Sequence, residues 1–202
     1  MNQPSSKEVP DLRSAVGRAV GNLQRTSLDL DLPAARSQLA RLRGAVDEPP
    51  GRSPEVWSMV LDAVPDEFMG TGDHATDSET ATHQALTLYA VHQRGNNRPM
   101  HVAGPGSNSF GGAAGRLAKG RTASVKARYD ALLMATSDEG RAQHLRSLVG
   151  LLSTDAIPLD YGQFALDLSR LKKAAYRDSV QRRWGRDFYR AFAPSISDDD
   201  AD

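Results

Sequence analysis

The residues best equipped for chemistry are the five histidines, and three of them, His83, His92 and His101, recur at intervals of nine. Metal ligands on one helix face stand three or four residues apart, and no HExxH or Glu-x-x-His pair occurs, so this spacing predicts no metal site. His92 and His144 sit on or beside apolar stripes, where a hydrogen-bonded core histidine is the preferred reading. The chain has no cysteine, which excludes a thiol nucleophile, a disulfide framework and a zinc ribbon. Its serines lie in caps and loops without a GxSxG elbow. The carboxylate pairs Asp29/Asp31 and Asp66/Glu67 fall in turn-like segments, where capping and solvation are the expected roles. GPGSNSFGGAAG superficially resembles a phosphate-cradling loop but lacks the GxxxxGK[ST] order and follows no strand pattern. Its backbone N–H groups suit at most one phosphate of a polynucleotide. The sequence therefore predicts no catalysis, no metal and no cofactor.

Charge is the stronger signal. The formal net charge is zero, yet between Ala81 and Tyr129 there is no Asp or Glu, against seven basic residues: Arg94, Arg98, Arg116, Lys119, Arg121, Lys126 and Arg128. Between Arg170 and Arg190, eight basic residues face only Asp178 and Asp187. The compensating acids lie chiefly between Asp29 and Glu79 and in the final SISDDDAD. Such segregation makes one face of a neutral chain strongly basic and suits a polyanionic partner.

The elements that must position these charges are helical. Aromatic residues make up only 6% of the chain, which disfavours a β core built on aromatic pairs, and no alternating β-branched run occurs. Apolar residues recur at helical spacing from Leu12 to Leu23 and from Leu32 to Val46, the second run capped by Asp31 with Pro33 in its first turn. Ser53-Pro54 opens a short helix, and Asp62 to Glu79 reads as an acidic connection. A stronger helix starts at Ser78 and stops at Gly95. Further helices are expected over Ser107 to Ala118, Thr122 to Ala135, Ser137 to Ala156, Pro158 to Lys173 and Ala175 to Phe192. The expected architecture is all-α, about eight or nine helices in bundle packing. Residues 11–193 form the helical domain, with 11–96 and 107–193 as candidate sub-bundles. A flexible N-terminus at 1–10 and an acidic disordered tail at 194–202 flank it.

Three features have functional weight. NNRPMHVAGPG is the longest irregular stretch, suited to a working loop or to a junction between lobes. The run Phe110-Gly111-Gly112-Ala113-Ala114-Gly115 is a poor helix former that lets another backbone come close. On the last helix, Val180, Trp184, Phe188 and Phe192 repeat every four residues as a buried stripe. Arg182, Arg186 and Arg190 repeat at the same interval two residues later, roughly 200° round the helix, and so project away from the core. A solvated charged face is the competing reading for one such helix.

The pieces LTLYAVHQ (Leu86 to Gln93), Met100-His101, FGGAAGRLA, RYDALL (Arg128 to Leu133), HLRSLVGLL (His144 to Leu152), IPLDY (Ile157 to Tyr161) and RRWGRDFYR (Arg182 to Arg190) resemble the CasB family, the small subunit of the type I-E CRISPR Cascade complex. The resemblance runs from about Leu86 to Tyr189, with IPLDY and RWGRDFY its most specific pair. The N-terminal third matches only in helical character and a Trp57-containing segment. The GGAAG run departs from the family's usual shape, where a charged residue often replaces a glycine. The resemblance implies an all-helical, non-catalytic protein present in two copies beside larger Cascade subunits. It would hold crRNA, target DNA and the displaced strand by basic surface residues and stabilise the R-loop in antiviral defence. The matched basic positions are Arg116, Lys119, Arg121 and Arg128 first, then Arg182, Arg183 and Arg186. Backbone contacts suit that role, because guide pairing reads the sequence. A free-standing helical DNA-binding regulator is the alternative from another class, but the last helix offers only Gln181 among its arginines for base reading. A protein-only adaptor, its arginines meeting acidic partner surfaces, is the third. The opening MNQPSSKEVPD lacks the apolar stretch of a secretory signal, and no window approaches a membrane span, so a cytoplasmic location without membrane contact is expected.

Overall fold

The structure, a computed structural model, describes residues 11–104, 106–121 and 123–193. Among them are nine α-helices, α1 (Leu12–Leu28), α2 (Pro33–Gly44), α3 (Pro54–Ala63), α4 (Asp77–His92), α5 (Phe110–Gly120), α6 (Ala123–Met134), α7 (Asp138–Thr154), α8 (Tyr161–Leu171) and α9 (Ala174–Phe192). Single 3-10 turns occupy Asp66–Phe68 and Gly106–Asn108. The described residues form no sheet, so the fold is all-α. The expected termini 1–10 and 194–202 and the helix start at Thr122 lie outside the described residues.

Local sequence explains most helix starts. Asp11 caps α1, accepting from the Ser14 N–H at 2.8 Å. α4 begins one residue earlier than the spacing predicts, because Thr76 and Glu79 form a capping box: Thr76 Oγ1 accepts from the Glu79 N–H at 3.1 Å and Glu79 accepts from the Thr76 N–H at 2.6 Å. Asp31 does not cap α2 as expected. It takes a positive φ of 47° in the α1–α2 turn, leaves Leu32 at the cap and pairs with Arg36 instead.

A single hydrophobic core runs through the described helices, and elements from either side of 96–107 share it: α1 packs on α8, and α4 packs on α7 and α8. The few aromatic rings concentrate here. Phe110 lies 4.7 Å from Trp184 and 5.2 Å from Phe164, and Tyr129 stacks on Phe188 at 4.4 Å between centroids. Each such pair contributes about 0.5–1.5 kcal/mol beyond its burial. Two helix crossings are close enough to need glycine. A Cβ on Gly111 or Gly115 would run into the backbone of Trp184 or Phe188, and one on Gly162 would meet the Arg13 carbonyl. The glycine-rich run is therefore a helix, and it does admit another backbone, that of α9.

The irregular stretch after α4 is a junction tied down at nearly every step. The Gln93 side chain holds the carbonyls of Asn96 and Arg98 at 2.8 and 2.9 Å and accepts from the Met100 N–H at 3.1 Å. Gln24 of α1 bonds both the N–H and the carbonyl of His101, at 2.9 and 3.1 Å. Leu159 pairs with the backbone of Met100 and Val102 at 3.1 and 3.2 Å, so residues 158–160 are extended and α8 starts at Tyr161 instead of at Pro158. Asp160 caps α8, pairs with Arg13 at 3.0 Å and accepts from the Gly104 N–H at 3.1 Å. His92 Nδ1 and Tyr161 Oη share a hydrogen bond of 2.9 Å, and His101 Nδ1 accepts from the Tyr161 N–H at 3.1 Å. Burial pushes His92 down to about 4 and also lowers His83 and His101. These three histidines are buried parts of the core.

Candidate nucleic-acid interface

The α9 helix is held from within by two buried carboxylates. Asp167 of α8 accepts from Trp184 Nε1 at 2.6 Å and from the Gln163 amide at 2.6 Å, and it pairs with Arg183. Burial pushes its carboxyl above the ordinary range against the opposing pull of Arg183, Trp184 and Gln163. Asp187 accepts from the hydroxyl of Ser109 at 2.7 Å, and Ser109 also caps α5. Val180, Trp184 and Phe188 are buried as the periodicity predicts. Phe192, expected to complete the stripe, is 40% exposed: it is the last residue of the helix, stacked on Phe188 alone at 5.8 Å.

With that face fixed inward, the opposite face carries Arg182, Gly185, Arg186, Tyr189 and Arg190, which line a shallow hollow of about 480 Å³. Arg182 and Arg186 are exposed and have no acidic partner among the described residues. Arg190 lies 3.8 Å from Asp187 with most of its side chain in solvent. Tyr189 stands 71% exposed between them. Four residues along a helix advance about 6 Å, so the arginines form a row of evenly spaced cations.

The α5–α6 residues fare differently. Arg116 is half-buried and donates to the Pro158 carbonyl at 2.9 Å, and burial lowers its pKa. Arg121 makes a two-point pair with Asp155, Nε to Oδ2 at 2.7 Å and Nη2 to Oδ1, which holds the Asp155 carboxyl below its ordinary range. Lys126 pairs with Asp130 at 2.6 Å. Lys119 and Arg128 are exposed. Because Gly111 lies at Trp184 and Gly115 at Phe188, α5 and α9 run in the same direction, and one further turn brings Lys119 level with Phe192.

Of the seven predicted residues, Arg182 and Arg186 thus lie in one row, Lys119 and Arg128 face solvent on neighbouring helices, and Arg116, Arg121 and Arg183 have intramolecular acceptors. Reasoning from sequence missed the clamping roles of Asp167 and Asp187, whose donors Trp184 and Ser109 lie 17 and 78 residues away, and Tyr189, which its position three residues after Arg186 placed on the same face. Among the described residues no group of three or more His, Asp or Glu is arranged to hold a metal ion, and no helix is long and apolar enough to cross a membrane. The exposed row offers cationic hydrogen-bond donors and one aromatic ring, which suits anion binding.

A family model described as CRISPR-associated protein Cse2 matches residues 38–189. Among solved structures, CasB from Thermobifida fusca is 30% identical, with a TM-score of 0.71 over 88% of this chain and 97% of that one. A CRISPR-associated protein of the Cse2 family from Thermus thermophilus is 27% identical, with a TM-score of 0.64 over 87% and 98%. CasB of M. ruber, at 23% identity and a TM-score of 0.65 over 90% and 94%, shares the fold. Comparison with curated proteins gives no match.

Proposed function

Because this chain belongs to the CRISPR-associated Cse2 family, we propose that it is the non-catalytic small subunit of a type I-E Cascade complex, acting in the cytoplasm. In this reading it holds crRNA, target DNA and the displaced strand by their backbones and so stabilises the R-loop. Two copies lie beside larger Cascade subunits. The observation that carries the reading is the outward row of Arg182, Arg186 and Arg190 on a helix whose other face is clamped by Asp167 and Asp187. A fixed row of cations at about 6 Å intervals suits successive phosphates, and it needs no base contacts because guide pairing supplies sequence.

Arg182 and Arg186 are assigned the leading role, with Lys119 and Arg128 extending the basic surface. Arg183 keeps free N–H groups beyond those that meet Asp167, so it can serve a phosphate at the same time. Arg116 and Arg121 would contribute only as far as Pro158 and Asp155 leave their donors available.

Co-expression with the larger subunits and a guide transcript tests the reading. The chain should co-purify with those subunits and a short RNA, whereas elution alone and free of RNA would contradict it.

A further inference from the structure

We infer that the hollow on α9 is a seat for one unpaired nucleobase, with the Tyr189 ring as its stacking platform. This rests on the nucleic-acid reading above and adds to it the kind of strand and the residue that recognises it. Three observations lead there. Tyr189 is 71% exposed, whereas Trp184 and Phe188 of the same helix pack against aromatic rings within the core. A tyrosine in solvent contributes little to packing, and a flat ring flanked by cations is what base stacking requires.

Gly185 is the second observation. In mid-helix a glycine is destabilising relative to alanine and normally has a packing reason. At Gly111 and Gly115 the reason is the backbone of α9, but a Cβ at Gly185 would meet nothing within 4 Å. Helical side chains lean over the turn N-terminal to their own Cα, so the Tyr189 ring reaches toward position 185, where the missing side chain leaves open space. The third observation is the lining itself. Arg182, Arg186 and Arg190 line the hollow together with Gly185 and Tyr189, so a base on the ring would have its own phosphates beside guanidinium groups. Paired bases inside a duplex have both faces covered by their neighbours. The seat therefore takes a single strand, RNA or DNA.

The test compares an oligonucleotide with an abasic strand of equal length and charge, as RNA and as DNA pairs, at fixed salt with the full chain. The base-bearing strand should bind about 5- to 100-fold more tightly in at least one pair, as expected for stacking of one base. Tyr189→Leu should remove that advantage, leave the abasic strand's affinity and the salt slope unchanged, and leave the thermal midpoint near the parent's. Tyr189→Trp should restore the advantage, and Gly185→Leu, which fills the hollow, should remove it. Equal affinity for base-bearing and abasic strands in both pairs would overturn the seat while leaving backbone binding intact. Undiminished preference in Tyr189→Leu would overturn the assignment to this ring. Binding of neither strand by the parent, alone and in the assembled complex, would overturn the nucleic-acid reading together with the seat.

Discussion

The two basic segments of this chain carry similar charge and use it in opposite ways. In α5–α6, Arg116 donates to the Pro158 carbonyl, Arg121 grips Asp155 and Lys126 pairs with Asp130, so much of the acid-free stretch meets acceptors on the protein itself. At α9 the carboxylates, Asp167 of α8 and Asp187 of α9 itself, are buried against the inner face, and Arg182 and Arg186 stay free on the outer one. A run without acids in sequence is thus no measure of free charge, because acceptors arrive from segments 34 and 42 residues away. What leaves a cation available is a helix whose opposite face is already fixed.

The largest expected effect comes from removing that fixation. Asp167→Ala strands the Trp184 indole N–H and the Gln163 amide and frees Arg183, and loss of one partner of such a pair costs about 3 kcal/mol or more. A denaturant titration should show this loss, and an unchanged midpoint would mean that the aromatic packing alone orients α9.

Acid should act on the junction that supports Arg116 and Arg121. His92 is lowered to about 4 from an ordinary 6.5, so its neutral form is favoured in the folded protein. Its contribution is complete above pH 6.5 and is lost as pH falls through the folded value, about 3 kcal/mol in all. Stability measured across that window should decline in the parent, with a flatter profile in His92→Gln. Identical profiles would show that His92 does not titrate with unfolding.

A smaller contrast separates the two segments directly. Arg116→Ala should lower stability by about 1–2 kcal/mol through loss of a charged hydrogen bond and the packed stem. Arg182→Ala should stay within about 0.5 kcal/mol of the parent. Equal effects in thermal melts would erase the distinction between internal and outward arginines. The same contrast implies that joint replacement of Arg116, Lys119 and Arg121 disturbs the fold as well as the surface.

How far these roles are legible from sequence follows from how local each is. The faces of α9 are readable because Val180, Trp184 and Phe188 repeat every four residues and the arginines follow two places later. The close approach at Gly111 and Gly115 is readable for a similar reason, since only glycine tolerates it. The capping box at Thr76 and Glu79 is a four-residue signal that the acidic run around it obscures. Local pattern predicts helix at 158–160, yet these residues are extended, because Leu159 takes its partners from Met100 and Val102. The IPLDY motif that signals the family is built almost wholly into this junction, whereas RRWGRDFYR is divided between core and surface. Of these two motifs, family resemblance and the proposed exposed site coincide in the second alone.

The central claim is that the outward row on α9 neutralises phosphates. The most direct measurement is the affinity of the parent and of Arg182→Ala/Arg186→Ala for a nucleic-acid strand across a salt series, with thermal midpoints recorded beside it. If each side chain neutralises one phosphate, the log–log slope should fall in magnitude by about 1.4 for a single strand or 1.8 for a duplex, with the melt unchanged. An unchanged slope in a normally folded double variant would contradict the claim and return α9 to a merely solvated charged face.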